Sequence, residues 1–172
     1  MQKKDVKSNE YDSYYKIYLK NVAPETNIIE GQKNSLSCSF NFFQSIPDDK
    51  LLYQYAEGKW TPKEILQHIT DTERIFSYRA LRISRNDFTE LPGFDENAYV
   101  PPSMANKKSM NQLLDEFASL KRANITLFKG FTDTMLLRKG KASGGPISVR
   151  AIPFILMGHE AHHIQVIKER YV

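Results

Sequence analysis

Thr61-Pro62-Lys63-Glu64-Ile65-Leu66-Gln67-His68-Ile69 holds a helix start and the beginning of an inward helix face. Thr61 has the short hydroxyl of an N-cap. Pro62 suits the first helical position, where its missing N–H would have no partner, and Glu64 can return a hydrogen bond to the cap backbone as a capping box. Beyond it, Ile65, His68, Thr72, Ile75 and Arg79 recur at alternating spacings of three and four, the repeat of one helix face. The pattern predicts a helix to about Asn86.

Working outward, the same period returns three more times. Upstream, residues 27–44 place Ile28, Ile29, Leu36, Phe40 and Phe43 on a helical stripe that Pro47 ends, with a short helical turn over 48–56. Downstream, residues 87–108 hold Pro92, Gly93, Pro101 and Pro102, which exclude a continuous helix. Residues 109–131 align Leu113, Leu114, Phe117, Leu120, Ile125 and Phe128. A loop with Gly140, Gly144, Gly145 and Pro146 then leads to a last helix over 148–171, with Pro153 near its first turn, where the missing N–H is tolerated. No stretch alternates like a strand and no repeat is present. The expected fold is all-α, a four-helix bundle with long connections. Residues 1–172 read as one domain. Residues 1–26 are an extension on the bundle, its tyrosines (Tyr11, Tyr14, Tyr15, Tyr18) a packing flap rather than a binding cage.

Composition narrows the function classes. The chain has 172 residues, 41% hydrophobic and 26% charged, enough to bury a core without a structural metal or disulfides. The net charge of +4 is spread among both signs with no run of five, so nucleic acid is not an expected partner. Its single cysteine, Cys38, allows no internal disulfide, fits a reducing compartment, and reads as a small buried hydrophobe. The polar start Met1-Gln2-Lys3-Lys4-Asp5 lacks an apolar signal core, and no segment has 18 unbroken apolar residues. A cytoplasmic protein without membrane contact is expected.

Three of the four histidines fall within Gly158-His159-Glu160-Ala161-His162-His163. Residues four apart share a helix face, so His159 and His163 can reach one ion, whereas His162 is turned about 100° from His163. Ile152, Leu156, His159, His163 and Val166 form the inward row. His68 occupies the equivalent row of its own helix. Three buried imidazoles without partners would cost several kcal/mol, and a shared ion satisfies one nitrogen on each. His68, His159 and His163 are therefore the candidate metal ligands. Such a donor set suits Zn²⁺, Ni²⁺, Fe²⁺ or Co²⁺ and leaves a coordination position open, the arrangement of catalytic sites. Asp71 and Glu64, one turn either side of His68, and Glu160 are candidates to support the ligands or act as a base. His159-Glu160 followed by His163 also matches the spacing of a metallopeptidase, in which the glutamate is the base. The third histidine lies upstream rather than downstream, which counts against that reading.

Gly58-Lys59-Trp60-Thr61-Pro62-Lys63-Glu64-Ile65, the His68 to Arg74 helix, Leu91-Pro92-Gly93-Phe94-Asp95-Glu96-Asn97, Gly158 to His163 and Glu169-Arg170-Tyr171 stand in a specific order. With them the chain resembles the DinB/YfiT-like superfamily of metal-binding four-helix bundles over nearly its whole length. The resemblance implies one histidine on the second helix and a His-x3-His pair on the last, which map onto His68, His159 and His163. It further implies a metal-dependent transferase using a low-molecular-weight thiol such as bacillithiol, mycothiol or glutathione, which attacks a small-molecule electrophile. Alternatives are a metal-dependent hydrolase using a metal-bound hydroxide, or a non-enzymatic stress-related metal-binding protein. Under the transferase reading, Arg79, Arg82, Arg85 or the Asp95-Glu96-Asn97 loop could hold the polar groups of the thiol, Arg79 being the named candidate. Arg82 and Arg85 read as solvated, Asp95 to Asn97 as a loop cap, and Trp60 as a core anchor. A homodimer is compatible with such a bundle.

Overall fold

The computed structural model describes residues 1–171. Short 3-10 turns lead into α1 (Lys16–Leu19) and then α2 (Ile28–Gln44). These are followed by α3 (Pro62–Ser84), α4 (Glu96–Tyr99), α5 (Met110–Lys129), α6 (Asp133–Leu136), β1 (Lys139–Ala142), β2 (Gly145–Ser148) and α7 (Ala151–Arg170). The four long helices form the bundle, with α2 and α3 each packed against both α5 and α7. Local chemistry starts them where the sequence indicates. Thr61 accepts from Glu64 N while its own N donates to Glu64 Oε2 at 2.8 Å, and Ser109 with Gln112 makes the same box for α5. No helix among the described residues is long and apolar enough to cross a membrane.

Two expectations need correcting. Residues 139–148 form an antiparallel hairpin, with Lys139 opposite Ser148 and Ala142 opposite Gly145. Its turn residues Ser143 (φ 52°) and Gly144 (φ 81°) both take left-handed backbone, as a two-residue hairpin turn demands. Four-residue strands rich in Gly and Pro carry no alternation to read. Tertiary seating supports them instead: a side chain on Gly140 would strike Ile83 of α3, and one on Gly145 would strike Asp12. Cys38 is exposed rather than buried, because α2 turns Gly31, Gln32, Ser39 and Phe43 inward instead.

The interior is divided into layers. One apolar cluster contains Phe76, Ile83, Phe128, Ile152, Phe154 and Leu156, and a second contains Phe43, Leu66, Ile69, Leu113, Phe117 and Ile167. On each helix the residues between these clusters are polar: Gln32 and Ser35 on α2, Thr72 and Glu73 on α3, Lys121 and Asn124 on α5, His159 and Glu160 on α7. Lys121 is fully buried and pairs with both Glu73 and Glu160. Asn124 donates to Glu73 at 2.9 Å, and Ser35 and Ser39 donate to Glu160 at 2.7 and 2.8 Å. Burial works against the Lys121 charge, but the two carboxylates outweigh it and raise its pKa. For Glu73, burial prevails and the pKa rises despite Lys121.

The N-terminal segment crosses the outside of α7. A side chain on Gly158 would collide with the Tyr18 carbonyl, so only glycine permits this approach. Asn21 Nδ2 donates to the Gly158 carbonyl at 3.2 Å. Just before α7, Ser148 at the end of β2 and Arg150 at the helix cap hold the buried carboxylate of Glu10.

Candidate metal centre

Two helices bring three imidazoles to one point. His68 enters from α3 two turns after the Thr61 cap, and His159 and His163 enter from α7, one turn apart. The His159 Nε2 lies 3.0 Å from His68 Nε2 and 3.0 Å from His163 Nε2, and the three donor atoms fall within 4.8 Å of one another. Among the described residues no other His, Cys, Asp or Glu joins them. His162 stays on the flank, half-buried, with its ring 5.6 Å from that of Tyr18.

Burial sets the charge state of these rings. It lowers the His68 pKa to about 4, and it drives His159 and His163 well below the ordinary imidazole value, with their mutual proximity adding to the effect. All three are neutral at neutral pH and offer lone pairs. Hydrogen bonding alone fits this cluster poorly. One His159 nitrogen faces two others, yet it can supply a single N–H or a single lone pair. A common cation satisfies all three, since nitrogens about 2.1 Å from one ion and about 90° apart are separated by about 3.0 Å. With Nε2 used in this way, His159 must carry its proton on Nδ1, which is buried without a protein acceptor. That position lacks the supporting hydrogen bond usual for metal-ligating histidine.

The acids named from the sequence lie elsewhere. Glu64 serves the α3 cap and accepts from Asn106 at 3.0 Å. Asp71 accepts from Gln67 at 3.0 Å and faces Arg74 at 3.5 Å. Glu160 turns to Lys121 and Ser39, about 100° around α7 from His159. Asp95 caps α4, donating nothing to the site.

The triad lies in the wall of a cavity of about 510 Å³. Its lining combines Tyr14, Tyr15 and Tyr18 from the N-terminal segment, Trp60, Thr72, Phe76 and Arg79 from α3 and its approach, and Phe94, Glu96 and Ser143 from the loops. Trp60 packs against the second apolar cluster, as a core anchor would, and also lines the site: its ring is 4.7 Å from His68 and stacks 6.5 Å from His163. Its place immediately before the α3 cap, two turns from His68, is the signal that could have located it. The tyrosine flap packs as expected but also forms one cavity wall, with Tyr18 edge-on to His159 at 5.1 Å. Glu73 and Lys121 went unnoticed in the sequence, although each interrupts an apolar row (Ile69, Glu73, Phe76; Phe117, Lys121, Ile125).

The DinB superfamily model matches residues 39–167, three quarters of the chain and all three histidines. The chain belongs to the DinB superfamily. Solved structures share this DinB fold. YfiT from Bacillus subtilis, described as a probable metal-dependent hydrolase with an unusual four-helix bundle topology, aligns at TM-score 0.71 with 19% identity, over 83% of this chain and 82% of its own. A mycothiol-dependent maleylpyruvate isomerase aligns at 0.67 with 8% identity, over 80% of this chain and 58% of its own. A DinB-like protein from Bacillus subtilis aligns at 0.58 with 17% identity, over 84% and 88%. No curated protein sequence matches the chain. The matched DinB segment begins at residue 39, so the tyrosine wall lies outside it.

Proposed function

We propose that this DinB protein is a metal-dependent transferase that binds a low-molecular-weight thiol at His68, His159 and His163 and directs it to an electrophile. The observation that carries this reading is the convergence of three buried, neutral imidazoles on an open cavity with no fourth protein donor among the described residues. A divalent transition ion bound there (Zn, Ni, Fe or Co) would supply Lewis acidity and favour an ionised thiol at neutral pH. The chain's own residues do the rest. Trp60 packs on His68 and fixes its ring, Tyr18 closes the side of His159 against water, and the aromatic walls offer an apolar bed for the ligand.

The mycothiol dependence of a protein with this fold supports the thiol reading. Bacillithiol, mycothiol and glutathione are the candidate cofactors. A hydrolase is the second reading, favoured by the description of YfiT. Against it, Glu64, Asp71 and Glu160 are engaged away from the triad, and among the described residues no carboxylate joins the imidazole cluster, Asp12 and Glu96 lining the cavity outside it.

Elemental analysis of the purified protein and of His68→Ala tests the centre. About one ion per chain, lost in the variant, is expected. A wild type free of metal after metal-replete expression would overturn the reading. Thiol consumption with chlorodinitrobenzene and each candidate thiol then tests the reaction. Ester hydrolysis without added thiol would favour the hydrolase, and metal binding with neither activity would favour a non-enzymatic role.

A further inference from the structure

One face of α3 runs from the imidazoles to a guanidinium. His68, Thr72, Phe76 and Arg79 all line the same cavity. Arg79 lies eleven positions after His68, which returns the helix to nearly the same direction after three turns and about 16 Å of rise. Helical side chains lean toward the N-terminus, so Arg79 reaches back toward the cavity centre.

Arg79 is only 1% exposed, yet no carboxylate among the described residues pairs with it. Its Nη2 donates to the Pro92 carbonyl and to Ser143 Oγ, both at 2.9 Å. The guanidinium lies 4.7 Å over the Phe76 ring, with the Tyr15 hydroxyl nearby. Asp12 and Glu96 line the cavity but do not neutralise it. A buried cation without a counter-ion is costly unless something supplies one. The guanidinium is held in place by neutral groups from two separate segments, the Pro92 loop and the hairpin tip at Ser143.

A second observation points the same way. Thr72 is 5% exposed and its Oγ1 has no hydrogen-bond partner among the described residues. Helical threonines commonly satisfy this hydroxyl on the carbonyl four residues back, as Thr70 does with Leu66 at 2.9 Å. Thr72 does not, and it lies between His68 and Arg79.

We propose that this face reads an elongated organic anion: its acidic group rests on Arg79, a polar group midway meets Thr72, and its far end reaches the three imidazoles. The acidic group and the far end are separated by on the order of 10 Å, which excludes ligands as short as mercaptoacetate from using both ends. The triad end of this assignment rests on the metal–thiol reading, whereas the Arg79 end does not.

Trp60 is the only tryptophan and lines the cavity, so its fluorescence reports occupancy. Metal-free protein is titrated with octanoate and with octanol, and cobalt-loaded protein with mercapto-octanoate, mercapto-octanol and mercaptoacetate, following the thiolate-to-cobalt absorption. The long acid is expected to bind at least about tenfold tighter than the matching alcohol in both series. The difference should vanish in Arg79→Gln and survive in part in Arg79→Lys. An amide placed mid-chain should strengthen binding to wild type and not to Thr72→Val; an equal gain in both removes Thr72 from the assignment. Equal affinity for octanoate and octanol in the metal-free wild type overturns the proposal without relying on any variant's folding. Failure to take up cobalt defeats the metal reading instead, and the metal-free series then decides Arg79 by itself.

Discussion

Two groups of buried polar side chains lie at the same level of the bundle and are treated differently. Around Lys121, where α2, α3, α5 and α7 meet, each charged group is met: two carboxylates share one ammonium, and Asn124, Ser35 and Ser39 donate to the remaining acceptor positions. Around the imidazoles, between α3 and α7, the His159 Nδ1 and the Thr72 hydroxyl have no partner and Arg79 no counter-ion among the described residues. The first group has the completeness of a structural network, the second the incompleteness of a site that expects a visitor. Both occupy a layer that would otherwise be continuous apolar core, so the difference lies in what completes them.

Removing the centre of the first group should have the largest effect on stability. Lys121→Met leaves Glu73 and Glu160 buried without a cation, a loss of about 3–5 kcal/mol by the usual cost of an orphaned buried charge. Urea unfolding measures it, and a change below about 1 kcal/mol would break the comparison. Gln32 sits in the same layer with neither Nε2 nor Oε1 partnered. Gln32→Met is therefore expected to stabilise by about 1–2 kcal/mol, since a buried unsatisfied amide carries a desolvation cost; a destabilised variant would show that an ordered water completes the residue. The second group should respond in the opposite sense. His68→Ala abolishes ion binding while shifting the metal-free unfolding midpoint little, because its ring borders a cavity rather than filling the core. A metal-free variant that unfolds as readily as Lys121→Met would erase the distinction.

The smallest expected effect concerns a third ionic group, at the N-terminal cap of α7. Burial pushes the Glu10 carboxyl up, but hydrogen bonds from Arg150, Ser148 and the Lys7 backbone outweigh it and bring its pKa down to about 2 from 4.5. A carboxyl depressed by folding contributes stability that is complete above its unfolded pKa and disappears as pH falls through the folded one. Stability from this group should therefore fade between about pH 4.5 and pH 2. Acid titration of Glu10→Gln should show a shallower decline over that interval than wild type, and identical slopes would remove Glu10 from acid sensitivity.

The long helices were legible because their signals are local. Thr61, Pro62 and Glu64 are neighbours, and His159 and His163 are one turn apart, so caps and face can be read without knowing any partner. His68 could be placed inward for the same reason. The hairpin was not legible because its support comes from Ile83 and Asp12, at least 55 residues away in the chain. Lys121 looked like any lysine, since the carboxylates that allow its burial are 48 and 39 residues distant. The roles first considered for Glu64 and Glu160 depended on proximity in sequence to histidine, but successive helical residues point about 100° apart and serve different neighbours.

Gly158 links these parts in time as well as in space. The Tyr18 segment leaves the ribosome early, but the helix turn it rests on lies 137 residues after Asn21, which anchors there. The tyrosine wall cannot seat until α7 has emerged and folded. His159 and His163 lie on that same helix, so the tyrosine wall and the imidazole triad both wait on one late element of the chain, α7.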